Sequence, residues 1–242
     1  MKRPDYLNSN EQEPVARSVP MNEYQASAEN GANVVAPDAQ KVLRNTYALL
    51  AMTLVFSAVM AGVSMAVNAP SFGLITLVVA IGLMFAIHKT ANSVVGIALT
   101  FVFTGFMGFT LGPLLNMVAG MQSGGATIGL ALGGTGVTFL VMSAFGMSTK
   151  RDLSGWGKML FAGFIVAIIG GVVGYLFQIP ALSLAISAIV IPLSAALISY
   201  ETNSIVRGGQ TNYVLATVSL YVSIYNLFAN LLVLLGVFGS DD

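Results

Sequence analysis

The sequence predicts an all-α polytopic membrane protein, a bundle of seven transmembrane helices with the seventh helix at its centre. Three observations lead to this prediction: seven long apolar stretches, a one-sided distribution of basic residues, and polar side chains on two faces of the last stretch. Hydrophobic residues make up 56% of the 242-residue chain and charged residues only 8%, with a mean hydropathy of +0.82. Soluble domains carry roughly 25% charged residues, so this composition excludes a soluble fold.

The apolar stretches have the length that a membrane span requires, since about 20 residues of helix cross the hydrocarbon core. We predict spans at residues 46–67, 72–87, 94–115, 126–145, 159–177, 181–199 and 213–237. The connections are short, so consecutive helices should be antiparallel neighbours in one bundle. Residues 41–242 are therefore predicted to form a single seven-helix transmembrane domain.

Every Lys and Arg falls on one side of the membrane that these spans define. They precede the first span or follow an even-numbered span, at Lys2, Arg3, Arg17, Lys41, Arg44, Lys89, Lys150, Arg151, Lys158 and Arg207. The connections on the opposite side hold neither residue type. Because cytoplasmic loops collect positive charge, we predict a cytoplasmic N-terminus and a C-terminus on the far side.

Residues 1–40 differ in composition from the rest of the chain. They contain four prolines, six acidic residues and many Asn, Gln and Ser. Their apolar surface is too small to offset the entropy lost on ordering, so we predict a disordered cytoplasmic tail. This tail is either a passive leader or a handle for a cytoplasmic partner.

Ionisable residues are scarce beyond the tail. Between residues 39 and 240 the only acids are Asp152 and Glu201, both predicted in cytoplasmic loops, so no charge lies within a predicted span. Ionisable groups inside a membrane usually mark ion paths or proton relays, and their absence argues against a pump. With one His and no Cys, the chain lacks the residues for acid–base or metal chemistry in the membrane. We predict no enzyme activity, no metal or cofactor, the lipid bilayer as surroundings and, at zero formal net charge, no nucleic-acid partner.

Glycines four residues apart recur in three predicted spans. They are Gly108 and Gly112, then Gly125, Gly129 and Gly133, then Gly170 and Gly174. Small residues at this spacing line one side of a helix and let two backbones approach closely, which stabilises helix pairs in lipid. We expect contacts within the bundle at all three sets, and homo-oligomerisation through one such face is the alternative.

Polar side chains on two sectors of the seventh span predict its central position. One sector of about 60° on a helical wheel, here called the polar stripe, holds Ser219, Ser223, Asn226 and Asn230. A roughly opposite sector holds Thr217, Tyr221 and Tyr225. Side chains that need hydrogen bonds on two faces do not suit a helix lying against lipid. The polar stripe is either a source of interhelical hydrogen bonds or a hydrated path.

Pro192 lies inside the sixth predicted span. Proline removes an amide donor and clashes with the preceding turn, so it should bend the helix and free the Ala188 carbonyl. The bend is either purely architectural or a hinge.

Several strings of residues resemble the Bax-inhibitor family of seven-helix membrane proteins. They are residues 42–47, 88–92, 104–113, 182–188, 201–203, 208–213, 216–223 and 225–226. The resemblance implies an enclosed last helix and a location in the bacterial inner membrane, with the C-terminus in the periplasm. It further implies a modulator of the ATP-dependent membrane protease FtsH, acting as inhibitor and slow substrate and engaged through the cytoplasmic N-terminal tail. The accessory membrane proteins of FtsH are further candidate partners.

The residues agree with this implied role. A processive protease needs an unstructured end to pull, and the tail supplies one. Behind the tail stands a bundle with little soluble surface to unfold. A substrate that is easy to engage and costly to extract would occupy the protease for a long time.

The family also implies an alternative function. Other members resemble pH-gated calcium leak channels controlled by two aspartates near the cytoplasmic mouth, and the matching positions here are Glu201 and Ser223. Two close carboxylates share a proton and raise one pKa, which a carboxylate beside a serine cannot do. The alternative is therefore a pH-sensitive calcium or ion leak channel, with Glu201, Ser223, Asn226 and Asn230 as its candidate ion path or gate.

Overall fold

The computed structural model describes residues 37–238, and within that range the fold is entirely helical. Its helices are α1 Pro37–Ala66, α2 Leu74–Thr90, α3 Val94–Ala119, α4 Gly124–Ser148, α5 Gly157–Leu176, α6 Pro180–Val206 and α7 Tyr213–Phe238. A 3₁₀ turn, Ser154–Trp156, precedes α5. The predicted all-α fold and its seven helices are confirmed for this part of the chain.

The helix lengths agree with a multi-pass membrane protein. Six helices are long and apolar enough to cross a membrane. The exception is α2, which has 17 residues and stands at the lower end of the roughly 17–25 residues that a span requires.

Most helix boundaries lie within four residues of the prediction, and two differ by more. Helix α1 begins at Pro37 and so includes the last four residues of the predicted tail; residues 1–36 of that tail lie outside the described range. Helix α6 runs to Val206, so the prediction of a loop at Glu201 is wrong. The helix continues because the polar residues after the apolar stretch find hydrogen-bond partners. It ends before Gly208, whose backbone φ of +75° is adopted readily by glycine and rarely by other residues.

The two ends of the bundle differ in charge. One end holds the start of α1 and the connections that follow α2, α4 and α6, and hydrogen bonds join several of these segments. Arg207 Nη2 donates to the Lys150 carbonyl oxygen at 2.5 Å, and Asn212 Nδ2 donates to Asn92 Oδ1 at 2.7 Å. Every Lys and Arg of residues 37–238 lies at this end, which we call the basic end. At the opposite end Asn116 Nδ2 donates to the Met65 carbonyl oxygen at 3.1 Å.

Helices α1 and α3 pack closely because glycine is present at their contact. A Cβ atom on Gly108 would overlap the Ser57 carbonyl oxygen, and one on Gly112 would overlap the Ser64 hydroxyl. On α5, a Cβ on Gly174 would lie 3.1 Å from Ser183 Oγ of α6, and Gly170 similarly faces α6. The expected contacts within the bundle are confirmed at these two sets of glycines.

The glycines of α4 behave differently. A Cβ atom on Gly125, Gly129 or Gly133 would meet no atom of the described residues within 4 Å, so the expected contact within the bundle is wrong there. The buried residues of α4 include Thr127, Ala131 and Thr135. This other face turns toward the core and leaves the glycine face on the outer surface.

Buried residues are most frequent in α3 and α7. The largest apolar cluster includes Leu220, Tyr221 and Leu227 of α7 together with Leu50 of α1 and Phe103 of α3. Helix α7 packs against α1, α3, α4 and α6. The largest apolar cluster therefore combines side chains of α1, α3 and α7.

Candidate functional site

Four hydroxyl side chains and the Thr46 backbone carbonyl join four helices at the basic end; the Thr46 hydroxyl itself has no partner among the described residues. We call this group the α1 clasp; its members are Thr46 and Tyr47 of α1, Ser143 of α4, Thr202 of α6 and Thr217 of α7. The Tyr47 hydroxyl forms a short hydrogen bond with Ser143 Oγ and lies 3.4 Å from Thr202 Oγ1, and Ser143 and Thr202 are themselves 3.2 Å apart. The three hydroxyls thus form a closed triangle of hydrogen bonds between α1, α4 and α6.

The fourth helix joins through the neighbouring residue of α1. Thr217 Oγ1 donates to the Thr46 carbonyl oxygen at 3.2 Å and also lies 2.7 Å from the Tyr213 carbonyl oxygen of its own helix. Thr46, Thr202 and Thr217 are fully buried. Two adjacent residues near the start of α1, buried Thr46 and half-buried Tyr47, are therefore bonded to buried residues of three other helices.

Asn203 fixes the α4–α5 connection beside the clasp. It is 2% exposed; its Oδ1 accepts the Leu153 N–H at 3.1 Å and its Nδ2 donates to the Gly146 carbonyl oxygen at 3.1 Å. In the same connection the Ser154 N–H donates to Asp152 Oδ1 at 2.8 Å, and this bond lowers the pKa of the Asp152 carboxyl below its ordinary value.

Asn212 performs two tasks at the start of α7. Its Oδ1 accepts the N–H groups of Val214 and Leu215 at 2.9 and 3.1 Å, so it caps the helix. Its Nδ2 reaches the connection after α2, where it contacts the Ala91 carbonyl oxygen and Asn92. The basic end is thereby held together by side-chain amides as well as by hydroxyls.

The polar stripe of α7 is bonded mainly to its own helix. Ser223 Oγ donates to the Ser219 carbonyl oxygen at 3.1 Å, Asn226 Nδ2 to that of Val222 at 2.8 Å, and Asn230 Nδ2 to that of Asn226 at 2.7 Å. Hydrogen bonds to other helices come instead from the opposite sector. There the Tyr221 hydroxyl lies 2.6 Å from Ser57 Oγ, and the Tyr225 hydroxyl lies 3.2 Å from Thr110 Oγ1.

Glu201 meets the polar stripe at one position. Its carboxylate lies beside the Ser219 hydroxyl, one helical turn before Ser223. The structure therefore places Glu201 at the end of the stripe that lies nearest the basic end. Asn226 and Asn230 lie further along α7, away from that carboxylate.

Pro192 lies inside α6, which is assigned as one helix from Pro180 to Val206. Two residues further on, Ser194 Oγ is buried and has no hydrogen-bond partner among the described residues. A second proline, Pro113, is present inside α3. Both prolines are accommodated without ending their helices.

Within residues 37–238 no three His, Cys, Asp or Glu side chains come together as a metal site would require. The side chains that do cluster are hydroxyls, amides and a single carboxylate. Such groups hold helices together through hydrogen bonds. These side chains therefore fix the positions of the helices and form polar contacts inside an apolar bundle.

The α1 clasp was not predicted from the sequence. A lone hydroxyl in an apolar stretch is compatible with any environment, because it can bond to its own helix, as Thr100 does with the Gly96 carbonyl oxygen. A usable signal was present in the adjacent pairs Thr46–Tyr47 and Thr202–Asn203. Each pair sets two polar side chains next to each other at one end of an apolar stretch, and all of them except Thr46 form hydrogen bonds through the side chain.

Comparison with known proteins agrees with this architecture. Residues 39–240 match the family described as inhibitor of apoptosis-promoting Bax1. The chain belongs to this family. The resemblance inferred from the sequence strings is thereby confirmed.

Relatives of this chain match most of its length. The modulator of FtsH protease YccA of Escherichia coli is 53% identical over 205 residues, which cover 84% of this chain and 92% of that protein. The inner membrane protein YccA of a second Escherichia coli strain shows the same identity and coverage. An uncharacterised protein of Pseudomonas aeruginosa is 44% identical over 214 residues, covering 88% of this chain and 96% of that protein.

Proposed function

We propose that this protein is an inner-membrane modulator of the protease FtsH, acting as an inhibitor and slow substrate engaged through its N-terminal tail. The observation that carries the proposal is the 53% identity, over most of both chains, to a protein named as a modulator of FtsH protease. A second relative of equal identity is named as an inner membrane protein. That match covers 84% of this chain, and the family match covers residues 39–240, so the proposal concerns the helical domain.

We propose that the basic end faces the cytoplasm. Every Lys and Arg of the described residues lies at that end, and cytoplasmic loops of membrane proteins collect positive charge. In this orientation the N-terminal tail, which precedes α1, extends from the cytoplasmic side, and the C-terminus lies in the periplasm. The tail would then be available to a protease that pulls from the cytoplasm.

The proposal is tested by deleting residues 2–36, which leaves the start of α1 at Pro37 intact. In cells with active FtsH the deletion should lengthen the lifetime of the protein and abolish its ability to slow the turnover of another FtsH substrate. A variant whose tail is replaced by an equally long polar sequence without predicted structure is the matched control and should be degraded. Turnover unchanged by the deletion would contradict tail engagement, and equal lifetimes with active and inactive FtsH would contradict the proposed function.

The accessory membrane proteins of FtsH are proposed as further partners. Purification after crosslinking in intact membranes should recover FtsH, with or without these proteins, when the full chain is used as bait. The tail deletion is the comparison, because it removes the proposed point of engagement and leaves residues 37–238 unchanged. Recovery of neither protease nor accessory proteins with the full chain would contradict the partner assignment.

We propose a homo-oligomer formed through the outer face of α4. Gly125, Gly129 and Gly133 lie four residues apart on this face, with no atom of the described residues within 4 Å of an added Cβ. Such faces let two helices approach closely in lipid. The chain has no Cys, so Gly129→Cys should give a disulfide-linked dimer in membranes. Gly82→Cys, on the exposed surface of α2, is the control, and equal crosslinking at both positions would contradict the interface.

We propose that α7 is the central helix of the bundle in the membrane. The proposal is supported by the buried α7 residues of the main apolar cluster and by the packing of α7 against α1, α3, α4 and α6. In a Trp156→Phe background, a Trp placed at Leu227 should be protected from quenching by brominated lipid, whereas a Trp at Leu140, which is 67% exposed, should be quenched. Equal quenching at the two positions would contradict the central placement.

A second candidate function is a pH-sensitive calcium or ion leak. It is favoured by the contact between Glu201 and Ser219, which sets one carboxylate at the basic end of the polar stripe. Liposomes containing the purified protein should then leak calcium, and Glu201→Gln should abolish the response of that leak to pH. If Pro192 is a hinge in this path, Pro192→Ala should change the rate of opening. A calcium flux equal to that of protein-free liposomes would contradict this function.

A further inference from the structure

We propose that the α1 clasp sets the rate at which this protein is pulled out of the membrane from its N-terminus, with the Tyr47 hydroxyl as the group that holds the first span. This inference rests on the proposed function, because it explains how a substrate of FtsH resists extraction. It assigns a role to side chains that the proposed function alone leaves unexplained.

The position of the clasp along α1 is the first step. Tyr47 lies ten residues after the start of α1 at Pro37, which corresponds to about 15 Å of helix. Within the described part of the chain, Thr46 and Tyr47 are the first residues from the N-terminal side that hydrogen-bond to other helices. A force applied to the tail is therefore transmitted along α1 to these two residues before it reaches any later polar contact.

The arrangement of the bonds is the second step. Thr46 and Tyr47 are adjacent, and their partners belong to α4, α6 and α7. The bonds therefore carry the force together, and movement of α1 past the clasp requires that they break together. The next polar contact of α1, between Ser57 and Tyr221, lies ten residues further along.

Burial is the third step. Thr46, Thr202 and Thr217 are fully buried, and Ser143 is 4% exposed. Tyr47 itself is half-buried, but its partners Ser143 and Thr202 are enclosed, so water cannot readily replace the Tyr47 hydroxyl on their side when the bonds break. The clasp therefore opposes the first displacement of α1 more strongly than exposed hydrogen bonds would.

The expected size of the effect follows from measured interhelical hydrogen bonds. In membrane proteins one such bond shifts an equilibrium about three-fold on average. Tyr47→Phe removes the phenolic oxygen but leaves Ser143 and Thr202 able to bond to each other at 3.2 Å. We therefore expect about a three-fold rise in the open population of α1, and an equal rise in degradation rate if opening is fast relative to cleavage.

The first experiment measures degradation of the full chain by FtsH in proteoliposomes. Tyr47→Phe should be degraded about three-fold faster than the natural sequence. Tyr225→Phe is the matched control, since it makes the same chemical change at a hydroxyl that joins α7 to α3 rather than holding α1. Ser143→Ala should accelerate degradation as well, and combining it with Tyr47→Phe should add less than the two single effects, because both act on one bond.

The second experiment does not involve the protease. Single molecules in a lipid bilayer are pulled from the N-terminus, and the force of the first rupture is recorded. Tyr47→Phe should lower that force, whereas Tyr225→Phe should leave it unchanged. Because this measurement is independent of FtsH, it tests whether the clasp holds α1 even if FtsH does not degrade the natural sequence. Absence of degradation would contradict the proposed function but not the mechanical role of the clasp.

Two results would overturn the inference. One is a first rupture force that is the same in Tyr47→Phe and the natural sequence. The other is a lowered rupture force with an unchanged degradation rate in a system that degrades the natural sequence, because the clasp would then hold α1 without controlling extraction.

Discussion

Replacing Gly108 by alanine should separate α1 from α3. The Cβ atom of an alanine at this position would lie 2.6 Å from Ser57 Oγ and 2.8 Å from the Ser57 carbonyl carbon, whereas ordinary contacts begin at 3.4 Å. The carbonyl carbon is part of the α1 backbone and cannot rotate away. The Ser57 carbonyl oxygen lies closer still, so the two helices must move apart by about 1 Å, a distance over which close-packed atoms lose much of their attraction.

The cost of this movement has two sources. Overpacking of a close contact typically destabilises a protein by about 1–3 kcal/mol. The shift of Ser57 also stretches its 2.6 Å hydrogen bond with Tyr221, whereas alanine in place of glycine in a helix returns about 0.5–1 kcal/mol. We expect Gly108→Ala to lower the free energy of unfolding by about 1–2 kcal/mol.

The assay is reversible unfolding in mixed micelles, with sodium dodecyl sulfate as the denaturant and helix content as the signal. Gly82→Ala is the matched control, because an added Cβ there meets no described atom within 4 Å. Its free energy of unfolding should equal or slightly exceed that of the natural sequence. If Gly108→Ala were as stable as Gly82→Ala, the close contact between α1 and α3 would not stabilise the protein as we argue.

Three further substitutions test the hydrogen bonds of the bundle by the same unfolding assay. Asn203→Ala leaves the buried Leu153 N–H without its acceptor and should cost about 1–3 kcal/mol; an unchanged stability would mean that water reaches this site. Asn212→Ala removes the cap of α7 and should cost about 0.5–2 kcal/mol, and Asn212→Asp, which keeps an acceptor oxygen, should recover part of that loss. Tyr221→Phe removes the hydroxyl that joins α7 to Ser57 of α1 and should lower the free energy of unfolding by about 0.6–1.7 kcal/mol. A smaller decrease would mean that packing of the ring, and not the hydrogen bond, stabilises this contact.

Much of the fold could be predicted from the sequence because hydropathy and charge act over whole segments. Apolar length predicts where spans lie, and the one-sided Lys and Arg pattern groups the connections at one end, as the contact between Arg207 and Lys150 shows. The close approach at Gly108 could be predicted because small residues at this spacing are typical of helix contacts. The end of α6 could not, since polar residues after an apolar stretch suit a loop or a capped helix equally well.

Which face of an apolar helix turns inward is harder to predict. Lipid chains are as apolar as leucine, so hydropathy does not distinguish the face toward lipid from the face toward protein. The glycines of α3 and α4 have the same spacing, yet Gly108 lies against α1 and Gly129 faces outward. The hydrogen-bond partners of Tyr47 could not be predicted for a related reason, because nothing in the sequence indicates which distant helix a hydroxyl contacts.

The short second helix has a consequence for the surrounding bilayer. The 17 residues of α2 rise only about 26 Å, a few ångströms less than the typical hydrocarbon thickness of about 30 Å. Lys89, whose ammonium lies 4.6 Å from the centre of the Phe85 ring, can extend toward the headgroups. With α2 crossing the bilayer as the sequence predicts, local thinning of the lipid is one way to meet the remaining mismatch. Acyl-chain length thus becomes a physical variable for this protein: thin membranes should accommodate it with little deformation, and thick ones should press on the α2 side of the molecule.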